Sequence, residues 1–136
     1  MRYLNGTRDM GITFNKPDKD TPTVVGYSDS DWGGDKGDRR SCSGYIYKVH
    51  GGVIAWKTKK QPTVALSSCE AELMALCMSM KEGLWMRKML MDVGVYDGSE
   101  PITIYEDNQG TKAIANDPKF SDRTKHIDIQ FFRVQE

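Results

Sequence analysis

Apolar and polar residues alternate through the first half of the chain and recur at helical spacing in much of the second. Thr23-Val24-Val25-Gly26-Tyr27-Ser28 is a β-branched run that stops at the acidic cluster Asp29-Ser30-Asp31, which predicts a strand. Ser43–Val49 and Val53–Lys57 alternate in the same way around His50-Gly51-Gly52, which predicts a hairpin. Gly33–Asp38 reads as a turn, Gly11–Phe14 as a short strand, and Asn15–Pro22, polar and bracketed by prolines, as a linker. From Ser67 the period changes. Ser67-Ser68-Cys69-Glu70 has the form of a capping box, and Cys69, Leu73, Leu76/Cys77, Met80 and Leu84 fall on one helical stripe that Gly94 can end. Pro101–Tyr105 then predicts a strand, Asp107-Asn108 can cap a helix through Ala115, and a last helix is expected to start near Thr124-Lys125-His126 and to be running still at Glu136. Strands followed by helix, strand and helix predict an α/β domain on a mixed sheet.

The 136 residues fit one domain, and 38% hydrophobic residues suffice for a core. Lys plus Arg and Asp plus Glu both number 19, so the chain is not a polybasic nucleic-acid glove. No apolar run approaches the ~20 residues of a membrane span. Residues 1–6 contain no apolar signal segment, so the expected location is intracellular, cytoplasmic or nuclear, with no membrane partner. Cys42, Cys69 and Cys77 form no C-x-x-C pair, and Cys69 and Cys77 lie ~12 Å apart along a helix, beyond the ~7 Å reach of a disulfide. With His50 and His126 far apart in sequence, a zinc site has no ligand set; the cysteines read as small apolar fillers.

Charge is unevenly distributed despite the zero sum. Between Arg39 and Cys69 there is no acidic residue, while Arg39, Arg40, Lys48, Lys57, Lys59 and Lys60 give six positive charges. The stretch is either a solvated face or a local phosphate-binding surface. Acidic residues stand where elements end or begin: Asp29 or Asp31 after the first strand, Glu70 or Glu72 early in the long helix, and Asp107 after the later strand. Singly, these are a turn residue, a charge favourable at a helix N-terminus and an N-cap. Spacing does not select Glu72 over Glu70. Together they are a different object, because two unit charges ~4 Å apart repel by about 4 kcal/mol at an effective dielectric of ~20. Such a group needs a cation or takes up protons. All-oxygen ligation with room for water suits Mg²⁺, and two such ions can activate water and stabilise the leaving oxygen of a phosphodiester.

Five ordered motifs carry a family resemblance. Gly26-Tyr27-Ser28-Asp29-Ser30-Asp31-Trp32, Asp38-Arg39-Arg40-Ser41 with Ser43-Gly44-Tyr45, Ala65-Leu66-Ser67-Ser68-Cys69-Glu70-Ala71-Glu72, Tyr105-Glu106-Asp107-Asn108-Gln109 and Arg123–Ile129 resemble the ribonuclease H domain of Ty1/copia-type retrotransposon Pol polyproteins. Arg2–Thr7 resembles the tail of the preceding reverse-transcriptase region, so residues 1–22 are expected to be that tail with its linker and 23–136 the ribonuclease H-like domain. The resemblance implies a sheet of order 3-2-1-4-5 whose first three strands are antiparallel. It implies Mg²⁺-dependent cleavage of RNA in RNA:DNA hybrids during reverse transcription, with two ions, Mn²⁺ as a possible substitute, and the other Pol domains as partners. The family's acids carry over onto Asp29, Glu72 and Asp107. Ser30, Asn108 and Gln109 are implied helpers beside them, and Arg39, Arg40, Lys57, Lys59 and Lys60 are candidate phosphate contacts.

The sequence also departs from the family. A fourth acid normally follows a fifth strand, and no such segment occurs; Asp128 reads as a helix-start residue and His126 carries no catalytic role. The expectation is therefore a C-terminally incomplete domain with the strand Pro101–Tyr105 left as an exposed edge and uncovered core surface, sought on the Met-rich helix (Met74, Met78, Met80, Met86, Met89, Met91), and hence marginal stability or self-association. The rival to an active nuclease is an impaired remnant that only binds nucleic acid or protein. An integrase-like core is disfavoured, since its third acid is a Glu on a later helix.

Overall fold

The computed structural model describes residues 2–16 and 22–116. In chain order the elements are α1 (Arg2–Gly6), β1 (Val24–Asp31), β2 (Cys42–Val49), β3 (Gly52–Lys60), α2 (Ser68–Asp92), β4 (Thr103–Tyr105) and α3 (Gln109–Asn116). Among the described residues the sheet has four strands in the order β3-β2-β1-β4. β1, β2 and β3 pair antiparallel, and with the strand order this matches what the family resemblance implies; β4 runs parallel to β1. The expected last helix and Asp128 lie outside the described residues, as does most of the linker.

The hairpin turns on His50 and Gly51, both at positive φ (46° and 82°), the two-residue geometry whose twist matches paired strands. Gly11–Phe14 is not a strand. It is an exposed extended segment tied to the hairpin turn where the Asn15 amide donates to the His50 carbonyl (2.7 Å), too short a link to build a ladder. A small helix, α1, precedes it and buries none of its residues.

α2 begins as the capping box requires: Ser67 is extended (φ −148°, ψ 163°) and its Oγ accepts from the Glu70 amide at 3.1 Å. Gly94, at φ 73°, follows its end, with its amide donating to the Met91 carbonyl (3.0 Å). The helix crosses one face of the sheet, where Val24, Tyr45, Tyr47 and Val49 meet Met86 and Leu90 in the main core. Tyr47 fixes the approach. Its hydroxyl donates to the Ser79 carbonyl (2.7 Å), and its ring lies against Gly26 on β1 and Gly83 on α2, where an added Cβ would come within 2.6 and 2.7 Å of Tyr47 atoms. A second cluster joins Leu73 and Cys77 to Ile114 and Ala115 of α3. All three cysteines are free, and Cys69 and Cys77 lie on one helix as their spacing predicts.

Most methionines of α2 are covered: Met86 is buried, and Met74, Met78, Met80 and Met89 pack against the two clusters. Met91, with Leu84 and Trp85 of the same helix, is exposed. The opposite sheet face also carries Trp56, Ile46, Tyr27 and Tyr105 in register across all four strands, each partly open to solvent. Tyr27 stacks on Tyr105 with ring centroids 5.3 Å apart. Among the described residues, no helix is long and apolar enough to cross a membrane.

Candidate metal centre

β1 runs on to Asp31, three residues past its expected end, because Asp31 pairs with Cys42 and accepts a hydrogen bond from its amide. That settles which acid of this cluster is structural. Asp31 serves the strand end, while Asp29 reaches the site. The same division recurs on α2. Glu70 turns back and accepts from the Leu66 amide (2.7 Å), closing the N-terminal turn, while Glu72 faces inward and is only 7% exposed. At α3 it recurs again: Asn108 is the cap, its Oδ1 accepting from the Thr111 amide (3.0 Å), and Asp107 is left outside the helix. At each of the three places one polar residue is consumed by local structure and its neighbour is not.

The neighbours converge. Asp29, Glu72 and Asp107, from β1, α2 and the end of β4, each offer a carboxylate oxygen, and these atoms lie within 4.8 Å of one another. Gln61, nine-tenths buried, steadies the start of α2 against the sheet, its Nε2 donating to Ser43 Oγ (2.8 Å) and to the Ala71 carbonyl (2.9 Å). Asp29 and Asp107 are exposed, so the site opens to solvent on one side and has a buried floor.

That floor is electrostatically unfavourable. Glu72 Oε2 is buried without a hydrogen-bond partner among the described residues. Its proton affinity rises to a pKa of about 7, chiefly through burial and then through the negative charge of Glu106; Asp29 and Asp107 add smaller repulsions. Ser30 Oγ lies beside it and opposes the rise, short of a hydrogen bond of ordinary geometry. A divalent cation held by these acids would offset their like charges and could give the buried carboxylate a partner. The oxygen-only donor set and the orphaned buried oxygen fit a hard ion such as Mg²⁺.

The candidate phosphate contacts separate into two groups. Lys57 and Lys59 are exposed on β3, and Arg39 is exposed at positive φ (58°) in the β1–β2 loop. Lys60 and Arg40 are engaged within the protein. Lys60 Nζ pairs with Asp35 and with Asp38 (2.9 Å), and Arg40 Nε lies 3.6 Å from Asp38. Gln109 is exposed at the start of α3, and Asn108 has one end committed to the cap.

One acid beside the cluster was not singled out in the sequence. Glu106 is 9% exposed, with Oε2 accepting from Ser28 Oγ (2.7 Å) and Oε1 from the Asn108 amide (3.2 Å). Strand parity carried the signal, since Glu106 follows Ile102 and Ile104 at intervals of two, and these face the core.

Comparison with known proteins agrees with this architecture. No protein-family model matches the chain. It is 35% identical over 136 residues to the retrovirus-related Pol polyprotein from transposon TNT 1-94 of Nicotiana tabacum, covering 100% of this chain and 10% of that protein. It is 49% identical over 86 residues to the secreted RxLR effector protein 161 of Plasmopara viticola, covering 63% of this chain and 59% of the effector. Among solved structures, ribonuclease H1 from Halobacterium salinarum superposes with a TM-score of 0.57 at 14% identity, over 82% of this chain and 75% of the other. The chain thus spans about a tenth of the length of the polyprotein that it matches from end to end.

Proposed function

From homology with retrotransposon Pol polyproteins along the whole chain and a ribonuclease H-like fold, we propose that this domain is a divalent-metal-dependent ribonuclease H that degrades the RNA of RNA:DNA hybrids during reverse transcription. The observation that carries the proposal is the meeting of Asp29, Glu72 and Asp107, which are remote in sequence and bring carboxylate oxygens within 4.8 Å of one another. These three side chains would hold Mg²⁺, or Mn²⁺ in its place, and with a substrate phosphate bound would have room for two ions. When bound, the metal supplies a water acidic enough to attack a phosphodiester and charge to stabilise the leaving oxygen. The chain's own residues bind and aim. Asp29 and Asp107, on the open side of the site, admit a polymer from solvent, and the buried Glu72 anchors the ion from beneath. Lys57 and Lys59 on the exposed end of β3, with Arg39, contact substrate phosphates, while Ser30 and Gln109 flank the acids. Other Pol domains, the reverse transcriptase first, are the partners such a domain works beside.

The test is cleavage of a labelled RNA:DNA hybrid with Mg²⁺. Wild-type chain cuts the RNA strand, chelation stops it, and Asp29→Asn or Asp107→Asn lowers the rate by about 100-fold or more. Hybrid binding without metal-dependent cleavage would instead identify a binding remnant.

A further inference from the structure

The β1–β4 ladder is short. Its last paired residues are Tyr27 and Tyr105, so Asp29 and Asp107, each two positions further on, lie beyond the backbone register that aligns the two strands. What bridges the strands past that point is Glu106. Its Oε2 takes the Ser28 hydroxyl (2.7 Å), on the residue immediately before Asp29. Its Oε1 takes the amide of Asn108 (3.2 Å), on the residue immediately after Asp107. A single buried carboxylate therefore ties the Ser28 side chain on β1 to the backbone that follows Asp107, each oxygen engaged with one of them. Burying a carboxylate is costly unless its oxygens are hydrogen-bonded, and here both are, at the one place where the ladder has ended.

We propose that Glu106 is a positioning residue for the divalent-ion site, clamping Asp29 against Asp107 through Ser28 and the Asn108 amide without contacting the ion. This rests on the reading of the three acids as a metal centre. Residues that orient metal ligands typically alter affinity by about 10- to 100-fold when removed, and that is the effect to be measured.

The experiment is Mn²⁺ binding to the whole chain followed by electron paramagnetic resonance, with thermal melting of each metal-free variant alongside. Glu106→Ala is expected to weaken Mn²⁺ binding by at least about tenfold and Ser28→Ala by somewhat less. The double variant should bind no worse than Glu106→Ala alone, because the two side chains act through one hydrogen bond. Glu106→Gln keeps the shape and one acceptor, so it should recover part of the affinity lost in Glu106→Ala at an unchanged melting temperature; it also serves if Glu106→Ala does not fold. Glu106 and Ser28 variants that bind Mn²⁺ like wild type, or single losses that multiply in the double variant, would overturn the clamp. The parent reading has its own control: binding that Asp29→Asn abolishes but the Glu106 and Ser28 variants leave untouched overturns the clamp alone. A wild-type chain that binds no Mn²⁺ overturns both.

Discussion

Two charged clusters flank the same end of the sheet, and they are built on opposite rules. In the β1–β2 loop, Asp35 and Asp38 face Lys60, and Arg40 approaches Asp38, so each of these four charges has an opposite beside it, and all are solvated. At the ends of β1 and β4, Asp29, Glu72 and Asp107 accumulate with Glu106 behind them, like beside like, and Glu72 Oε2 has no hydrogen-bond partner among the described residues. The loop pairs these charges internally; the acid cluster does not. Asp35 accordingly titrates at about 2, held down first by its hydrogen bond from Lys60, whereas Glu72 is pushed up to about 7. Residue spacing alone gives each acid an ordinary local role, a turn residue, a helix-start charge or an N-cap. Compensation within the fold is what separates a structural cluster from a ligand-binding one.

The strongest way to break the comparison is to remove the anchor of the uncompensated side. Glu72→Gln should lower hybrid cleavage by about 100-fold or more, the cost of losing a metal ligand. The same substitution should raise the melting temperature of the metal-free chain by about 3 °C or more, because it deletes a buried carboxylate repelled by its neighbours. Opposite signs in the two assays are expected; a loss in both would mean that Glu72 supports the fold rather than a ligand.

A sharper version uses pH, since the two clusters respond in opposite windows. The folded-state pKa of Glu72 is raised from 4.5 to about 7, so its stabilising contribution is complete below 4.5 and is lost as pH rises through 7. Asp35 is lowered from 3.8 to about 2, so its contribution is present above 3.8 and is lost as pH falls toward 2. Metal-free melting temperatures should therefore fall from pH 5 to pH 8, and Glu72→Gln should flatten that limb while leaving the acid limb alone. Saturating Mg²⁺ should flatten it too, as binding to the folded state competes with the proton on Glu72. A neutral limb unchanged by both would remove the case for a strained carboxylate.

Much of this arrangement was legible in the sequence. The alternation of β1, β2 and β3 and the helical stripe of α2 encode burial directly, so these elements and the ends of α2 followed once turns and caps were read, whereas the strand order came from the family resemblance. Choosing Glu72 over Glu70 was not available from periodicity, because both flank the stripe; it needed the fact that Glu70 closes onto the Leu66 amide. Asp29 over Asp31 and Asp107 over Asn108 needed the Cys42 and Thr111 amides in the same way. Local hydrogen bonds of this kind depend on backbone geometry that residue type does not specify. Gly11–Phe14 failed as a strand for the converse reason: its pattern suits one, but beyond a single hydrogen bond from Asn15 it finds no ladder.

The smallest expected effect tests the compensated side. Hybrid binding releases counterions for each phosphate contacted, so losing one contact reduces the slope of log affinity on log salt by about 0.9. Lys57→Ala and Lys59→Ala should each lower the slope by about that amount, as both side chains stand exposed on β3. Lys60→Ala should lower it by clearly less, because its charge already meets Asp35 and Asp38, and it releases two carboxylates that then repel the backbone. That released charge gives Lys60→Ala a second signature, weaker binding at low salt that vanishes as salt is raised. Equal slope changes at all three lysines would show that the loop opens to receive the substrate, and the contrast between a self-satisfied cluster and an ion-seeking one would then hold only for the free protein.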